Sequence, residues 1–310
     1  MTNVLLSIGI LVGLLVLVVV SLYFFTPATF IRLVTRIVGR YYGLSWSTRN
    51  GWPLYEGGTG EPTVVLVHGF AVDNTTMFDL ACKLARTHRV LAPDMPGFAL
   101  HPVRDPSSMN LQAYVSALEE FLNNEDLDEV ILVGASMGGA ISATFTATHP
   151  SRVLGLCLVS PAGLEPPVLT EIFEMGKRDE NGFRINTVED FKNLIALNYS
   201  KPPKLPSRII SGLAEQPIRL ADQHEAILRA MGDALLDGVR PYLKNISCPV
   251  EVVWGEDDAI IHPSVAPAWE EAIADVSLTT IPEIGHSAQM EDPKAVEQAV
   301  ERLVARLNQA

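Results

Sequence analysis

The run Val-Ile-Leu-Val-Gly-Ala-Ser-Met-Gly-Gly at 130–139 constrains this chain more than any other stretch. Its first four residues are apolar, three of them β-branched, and read as a buried strand. The residues that follow, from Ala140 to Phe145, read as a buried helix. Between the two stands Ser136, with Gly134 two residues before it and Gly138 two residues after, in a G-x-S-x-G pattern. A turn that passes so quickly from strand to helix forces its apex into strained backbone geometry. The flanking glycines remove the Cβ atoms that would collide there. The serine then heads a helix, where free N–H groups and the positive end of the helix dipole face the reacting atom. A serine held this way reads as a nucleophile. The plainer reading is a glycine-rich turn without chemistry, and partners further down the chain decide between them.

A serine hydroxyl is a poor nucleophile at neutral pH. It needs a base within reach and a carboxylate to orient that base. Of the seven histidines, His149 precedes a proline at a helix end, His88 and His101 fall in polar loops, and His224 falls in a helical stretch. His286 differs. It follows the strand-like run 277–281 through the loop 282–285, and a helix begins near Pro293. That puts it at the carboxyl end of a strand, where ligands bind in open α/β sheets. The acid belongs between serine and histidine in chain order. The strand-like run 250–255 leads into Glu256, Asp257 and Asp258, three competing carboxylates. Asp258, followed by Ala259, Ile260, Ile261, His262 and Pro263, fits best. Asp257 is the runner-up, and a solvated acidic loop is the bland reading for all three.

The oxyanion of an acyl transfer needs two N–H donors, each worth about 3–4 kcal/mol in the transition state. Met137, next after the serine, supplies one. The loop His68-Gly69-Phe70, after the strand-like run 63–67, supplies the other through the Phe70 N–H. His68 precedes the serine and stands beside the glycine that shapes this loop, so it reads as structural rather than as a second base.

These four separated motifs, with the turn Asp94-Met95-Pro96-Gly97 as a fifth, together resemble the α/β-hydrolase superfamily over roughly residues 45–308. The resemblance implies an α/β-hydrolase fold with a mostly parallel sheet and a helical cap. Within the superfamily, the apolar N-terminus, the Asp94-Met95-Pro96-Gly97 phrase and the segment 157–164 resemble the membrane-anchored monoacylglycerol lipase type of α/β-hydrolase-domain proteins. That implies hydrolysis of fatty-acyl glycerol esters by Ser136, Asp258 and His286, with no cofactor and no metal. The segment Phe98-Ala99-Leu100-His101-Pro102 departs from the small-residue continuation common there, and the pocket wall it builds departs with it.

Hydrophobic residues make up 48% of the 310 and charged ones only 19%, which suits a large core plus membrane contact. A net charge of −13 leaves no basic stripe for phosphates and argues against a nucleic-acid partner. Three cysteines, far apart and without C-x-x-C spacing, suggest neither a disulfide framework nor a metal site. Residues 4–25 carry no charge, and about 20 apolar residues span a bilayer as a helix. A signal peptide is the rival, but no Lys or Arg precedes the run, the run is long, and no A-x-A site follows. The expectation is a retained transmembrane helix within 1–26.

Thr26-Pro27 then caps a juxtamembrane helix over 27–43. Arg32, Arg36 and Arg40 recur every four residues on one face, with Phe30, Leu33, Val34, Ile37, Val38 and Tyr41 on the rest. This suits an interfacial amphipathic helix whose arginines meet lipid headgroups. A surface helix packed on the domain is the plainer reading. The same arginines favour a cytoplasmic catalytic domain.

Strand-like and helix-like runs alternate from Val64 onward, as in a mostly parallel sheet. An edge hairpin is expected around 44–46 and 52–55. The core divides into a first part, 44–163, and a second, 246–310. Between them, 164–245 reads as a helical cap, with helices over 168–177, from Thr187 (Asp190 completing a variant capping box), after Pro206 and after Pro217. Ile172, Phe173, Met175, Phe191, Leu194, Ile195, Ile209, Ile210 and Leu213 line an acyl tunnel or pack the cap on the core. The reading is a membrane-anchored serine hydrolase of carboxylic esters, monoacylglycerols or related lipids. Its rivals are a small-molecule carboxylesterase or carbon–carbon bond hydrolase with the same triad, and a non-catalytic binding protein on the same fold.

Overall fold

The computed structural model describes residues 19–178 and 180–309. Eight strands form one sheet: β1 Leu44–Arg49, β2 Trp52–Gly57, β3 Val64–Val67, β4 Val90–Pro93, β5 Val130–Ala135, β6 Val153–Val159, β7 Val250–Gly255 and β8 Val276–Ile281. Their spatial order is β1-β2-β4-β3-β5-β6-β7-β8. The β1–β2 hairpin and the β2–β4 pair are antiparallel, and every other pair is parallel. The hairpin turns on Asn50-Gly51, both at positive φ, which matches the twist of the strands it joins.

Leaving aside single turns, the helices are α1 Pro27–Tyr41, α2 Phe78–Leu84, α3 Leu111–Asn124, α4 Met137–Thr148, α5 Glu171–Lys177, α6 Val188–Asn198, α7 Ser207–Arg219, α8 Ala221–Met231, α9 Ala266–Ala272 and α10 Pro293–Leu307. Helices cover both faces of the sheet. Val65, Val67 and Leu132 pack with α3, α4 and α9 on one side, and Val64, Leu66, Ile131 and Val133 pack with α2 and α10 on the other. That is why the central strands are apolar at every position instead of alternating. Cys82 and Cys157 are buried in the second of these cores, and no cysteine is paired.

Helices α5 to α8 lie between β6 and β7. The capping box expected at Thr187 forms: its Oγ1 accepts from the Asp190 N–H at 3.1 Å, and the Asp190 carboxylate accepts from the Thr187 N–H at 2.9 Å. Two boundaries differ from expectation. The helix placed at 168–177 begins only at Glu171, because the Thr170 hydroxyl caps it while donating to the Ile260 carbonyl at 2.7 Å. Pro217 lies inside α7 rather than before a new helix, and α8 starts at Ala221. A proline in a helix's last turn removes one internal hydrogen bond without ending the helix at once.

The candidate membrane span over 4–25 lies outside the described residues except for 19–25, which are helical. Among the described residues no helix is long and apolar enough to cross a membrane. Thr26 does not cap α1 with its side chain, contrary to expectation. Its hydroxyl turns back to the Leu22 carbonyl, because helical hydrogen bonding runs through this point from 19–25. Helix α1 packs on the domain at Gly212 of α7 and through Gly39 against Phe78. Its arginines do not act as one row. The Arg36 guanidinium lies 3.9 Å over the Trp46 ring, a cation–π contact with the domain itself. Leu33, Val34, Ile37, Val38 and Tyr41 are exposed, as are Phe24 and Phe25 just before them.

Candidate active site

Ser136 is the single residue between β5 and α4 and has φ 54° and ψ −118°, a positive-φ conformation that costs a non-glycine residue strain energy. Four glycines make the turn possible. A Cβ at Gly134 would lie 2.4 Å from the Gly138 carbonyl, one at Gly138 2.2 Å from the Val67 carbonyl, and one at Gly139 2.7 Å from Pro161 Cβ. The fourth is Gly69, whose added Cβ would meet Ser136 Cβ at 3.3 Å. The elbow is tied to the sheet by Ser136 N–H donating to the Val159 carbonyl at 3.0 Å.

The structure brings the expected acid and base together. His286 Nδ1 and Asp258 Oδ2 are 2.8 Å apart, and both side chains are buried. Asp258 collects three further donors. Its Oδ1 accepts from the Ile260 and Ile261 N–H groups, each at 2.9 Å, and its Oδ2 accepts from Trp254 Nε1 at 3.1 Å. Four donors on one carboxylate fix its plane and keep its charge satisfied away from water. The rival Asp257 points outward and accepts from the Ser200 hydroxyl at 2.5 Å. Gly255 lets the acid and histidine loops touch, since a Cβ there would sit 2.1 Å from the Gly285 carbonyl. His286 and Ser136 line the same small chamber of ≈ 40 Å³.

Phe70 lines that chamber beside Ser136, and Met137 follows the serine as the first residue of α4. Among the described residues neither amide N–H has an acceptor in the loops around it. His68 is wholly buried, and its Nε2 accepts from the Met95 N–H at 2.9 Å. Its proton therefore sits on Nδ1, 2.8 Å from the Gly69 carbonyl. Burial pushes its pKa down and keeps it neutral. A ring with both nitrogens engaged in the loop is a strut, as expected of it from the sequence.

The structure also gives the Asp94-Met95-Pro96-Gly97 turn a task. It supports the Phe70 loop from behind, through Met95 on His68 and through Asp94 Oδ1, which accepts from the Asn74 N–H at 2.9 Å. Burial pushes the Asp94 carboxyl well above the usual range.

Several supports were not found from the sequence. Glu291 Oε1 accepts from the Gly285 N–H at 2.6 Å, while its Oε2 accepts from Ser200 and Lys201 N–H groups at 3.0 and 3.2 Å. One carboxylate thus ties the histidine loop to the chain leaving α6. The Asn198 carbonyl adds to this by accepting from the Ser287 N–H at 3.1 Å. Nothing in the spacing of these residues signals their meeting. His224 is buried on α8 with its ring 5.1 Å from Phe98 and 5.9 Å from Phe70, centroid to centroid.

A cavity of ≈ 420 Å³ opens from Ser136 and Met137 toward α5 and α8. Of the expected tunnel residues, Ile172 and Phe173 line it, with Leu228, Leu235, Ile260 and Ile261. Exposed Glu180, Arg229 and Asp233 form its rim. Phe191, Leu194, Ile195 and Leu213 line a different cavity, and Met175, Ile209 and Ile210 line neither. Among the described residues no group of His, Cys, Asp and Glu is placed to hold a metal ion.

A sequence profile described as the Alpha/beta hydrolase family matches residues 64–299. The chain belongs to the alpha/beta hydrolase family. This hydrolase is 27% identical over 237 residues to Lipase 3 of Moraxella sp. (strain TA144), covering 76% of this chain and 75% of that one. It is 23% identical over 244 residues to Monoacylglycerol lipase ABHD6 of Homo sapiens, covering 76% and 72%. Among solved structures it is similar to a membrane phospholipase A, described as a bacterial virulence factor, with a TM-score of 0.83, 26% identity and full coverage of both chains. A meta-cleavage product hydrolase shares the fold, with a TM-score of 0.72 at 19% identity over 86% of this chain and 99% of that one.

Proposed function

We propose that this alpha/beta hydrolase is a membrane-anchored serine hydrolase that cleaves the carboxylic esters of lipids, of which a monoacylglycerol is the simplest. The observation that carries the reading is the buried Asp258–His286 pair beside a strained serine. His286 takes the Ser136 proton as the hydroxyl attacks the ester carbonyl. Asp258, saturated by three other donors, holds the Nδ1–H tautomer so that Nε2 is the base, and it stabilises the imidazolium that forms. The Phe70 and Met137 N–H groups receive the oxyanion. His286 then gives the proton to the departing alcohol, and water, activated by the same imidazole, releases the fatty acid. The lipase relatives and the membrane phospholipase support a lipid ester as substrate.

The exposed apolar residues of 19–25 and α1 support a membrane setting, with the anchor itself within 1–26 and the catalytic domain on the cytoplasmic side. The test is fatty-acid release from monoacylglycerols of increasing chain length, wild type beside Ser136→Ala, with fluorophosphonate labelling of both. Serine-dependent release that favours long chains is the expected result. Hydrolysis of short soluble esters alone points to a small-molecule esterase, and equal rates in the two proteins remove Ser136 from the mechanism.

A further inference from the structure

Ser136 stands between two large chambers. The first is the ≈ 420 Å³ cavity walled by Met137 and α5. The second, also ≈ 420 Å³, lies under α6 and α7, with Phe191, Leu194, Ile195, Leu213 and Met290 in its walls. The ≈ 40 Å³ chamber beside the serine is a neck between them. It shares Phe70, Ser136 and Phe183 with the first, and Val72, Leu194, Asn198 and Ser287 with the second. Met137 lines the first chamber and not the neck, whereas His286 lines the neck and neither chamber.

The chemistry assigns each chamber a side of the ester. In acyl transfer the histidine that takes the serine proton must hand it to the leaving oxygen. The alcohol therefore leaves along the neck past His286, into the second chamber. The acyl group lies on the Met137 side, in the first. An alcohol side of ≈ 420 Å³ is far larger than a glycerol or a methyl group fills. It falls within the about 300–1,000 Å³ of sites that bury a whole drug-sized ligand. Beyond it, a cavity of ≈ 340 Å³ under α1 shares Asp73, Ala99, Leu213 and Gln216 with it. The alcohol side thus backs onto the helix whose outer surface is apolar.

We propose that the second chamber holds a hydrocarbon chain borne by the alcohol, so that the preferred substrate is an ester with a long chain on each side of the scissile bond. The inference rests on Ser136, His286 and Asp258 being the hydrolytic centre. Water adds across the ester, the products being a carboxylic acid and a chain-bearing alcohol. Two buried nitrogens in the second chamber's walls, His224 Nε2 and Gln216 Nε2, have no partner among the described residues. The Gln216 amide is a donor there for a polar group on the alcohol arm, such as a second acyl carbonyl.

The test compares methyl octanoate with octyl octanoate in mixed detergent micelles, using the full chain. The acyl group is constant and only the alcohol changes. Wild type is expected to show a kcat/KM at least tenfold higher for the octyl ester. Leu213→Trp, which fills the second chamber away from the serine, is expected to bring the ratio of the two esters close to one. Ile195→Trp repeats the measurement if Leu213→Trp lowers the melting temperature. A wild-type ratio near one, or a ratio that both variants leave unchanged, overturns the inference. Methyl octanoate turnover that vanishes in Ser136→Ala establishes the hydrolytic centre separately, so a missing chain preference defeats the two-chain substrate alone. Absence of turnover on either ester defeats both.

Discussion

Asp258 differs from its neighbour by the direction of its donors. Two amides hold one oxygen, and an indole and an imidazole hold the other. Asparagine has nearly the same shape but must turn an NH₂ group toward two of those donors. Asp258→Asn is therefore expected to lower kcat by roughly 10³–10⁴ with the fold retained, as loss of the correct histidine tautomer does in serine hydrolases generally. Asp257→Asn should leave kcat near wild type, and the reverse ranking of the two would reassign the acid. The sequence shows three acids in a row after a strand and, through the run from Ala259 to Pro263, favours Asp258 without showing the cause. Which of them turns inward depends on backbone N–H groups at Ile260 and Ile261, which no residue identity reveals. His224 allows a second test at this scale. Burial pushes its pKa down to about 4, against about 6.5 in an unfolded chain. The unfolded state thus binds the extra proton between these values, and stability that is complete above pH 6.5 is lost as pH falls toward 4. His68, buried and neutral, acts with the same sign. His224→Phe keeps an aromatic ring against Phe98 and removes one of these protons. It is expected to make the fall in melting temperature from pH 7 to 4.5 shallower, recovering at most roughly 3 kcal/mol. An unchanged acid limb would clear His224 of this role.

Among the elements, those written in local chemistry were legible and those decided by neighbours were not. The capping box at Thr187 and Asp190 fixes the start of α6 from within four residues, and the elbow glycines fix the turn at Ser136. Thr170 starts α5 because the Ile260 carbonyl, distant in sequence, receives its hydroxyl. Arg36 leaves the arginine row of α1 because Trp46 offers a ring face. The outer side of α1 keeps its expected character, with Leu33, Val34 and Ile37 exposed in sequence positions that share a helix face. The double variant Leu33→Glu/Ile37→Glu places charge on the exposed apolar face that is proposed to meet lipid, at two residues outside the core. It should reduce flotation with phospholipid vesicles by tenfold or more while turnover of a short soluble ester persists. Undiminished flotation would mean that α1 does not rest on the bilayer.

At the scale of the whole molecule, the mostly parallel sheet followed from the alternating pattern, because strands buried on both faces must be apolar throughout, whereas the order of the strands did not. What that pattern does not carry is how the C-terminal helix is held. Glu251, on β7, is buried beneath α10, where Arg302 reaches its carboxylate with Nε at 2.8 Å. Arg302→Met leaves that buried charge poorly compensated, and urea unfolding should show a loss of about 3 kcal/mol. Adding Glu251→Leu to it should restore most of the loss, and failure to do so would assign the effect to Arg302 packing alone. The two-chamber plan was invisible for a related reason. Ile172 and Leu194 look alike as apolar cap residues, and only the folded cap sends them to opposite sides of Ser136. Chain order has one more consequence. The elbow at Ser136 belongs to the middle of the sheet, while His286 follows β8, its last strand and one of its two edges. A polypeptide emerging from a ribosome folds from its first residues onward, so it displays its serine long before its histidine exists. On the proposed mechanism the half-made chain holds a nucleophile without its base, and hydrolytic power arrives only when the segment after β8 has docked.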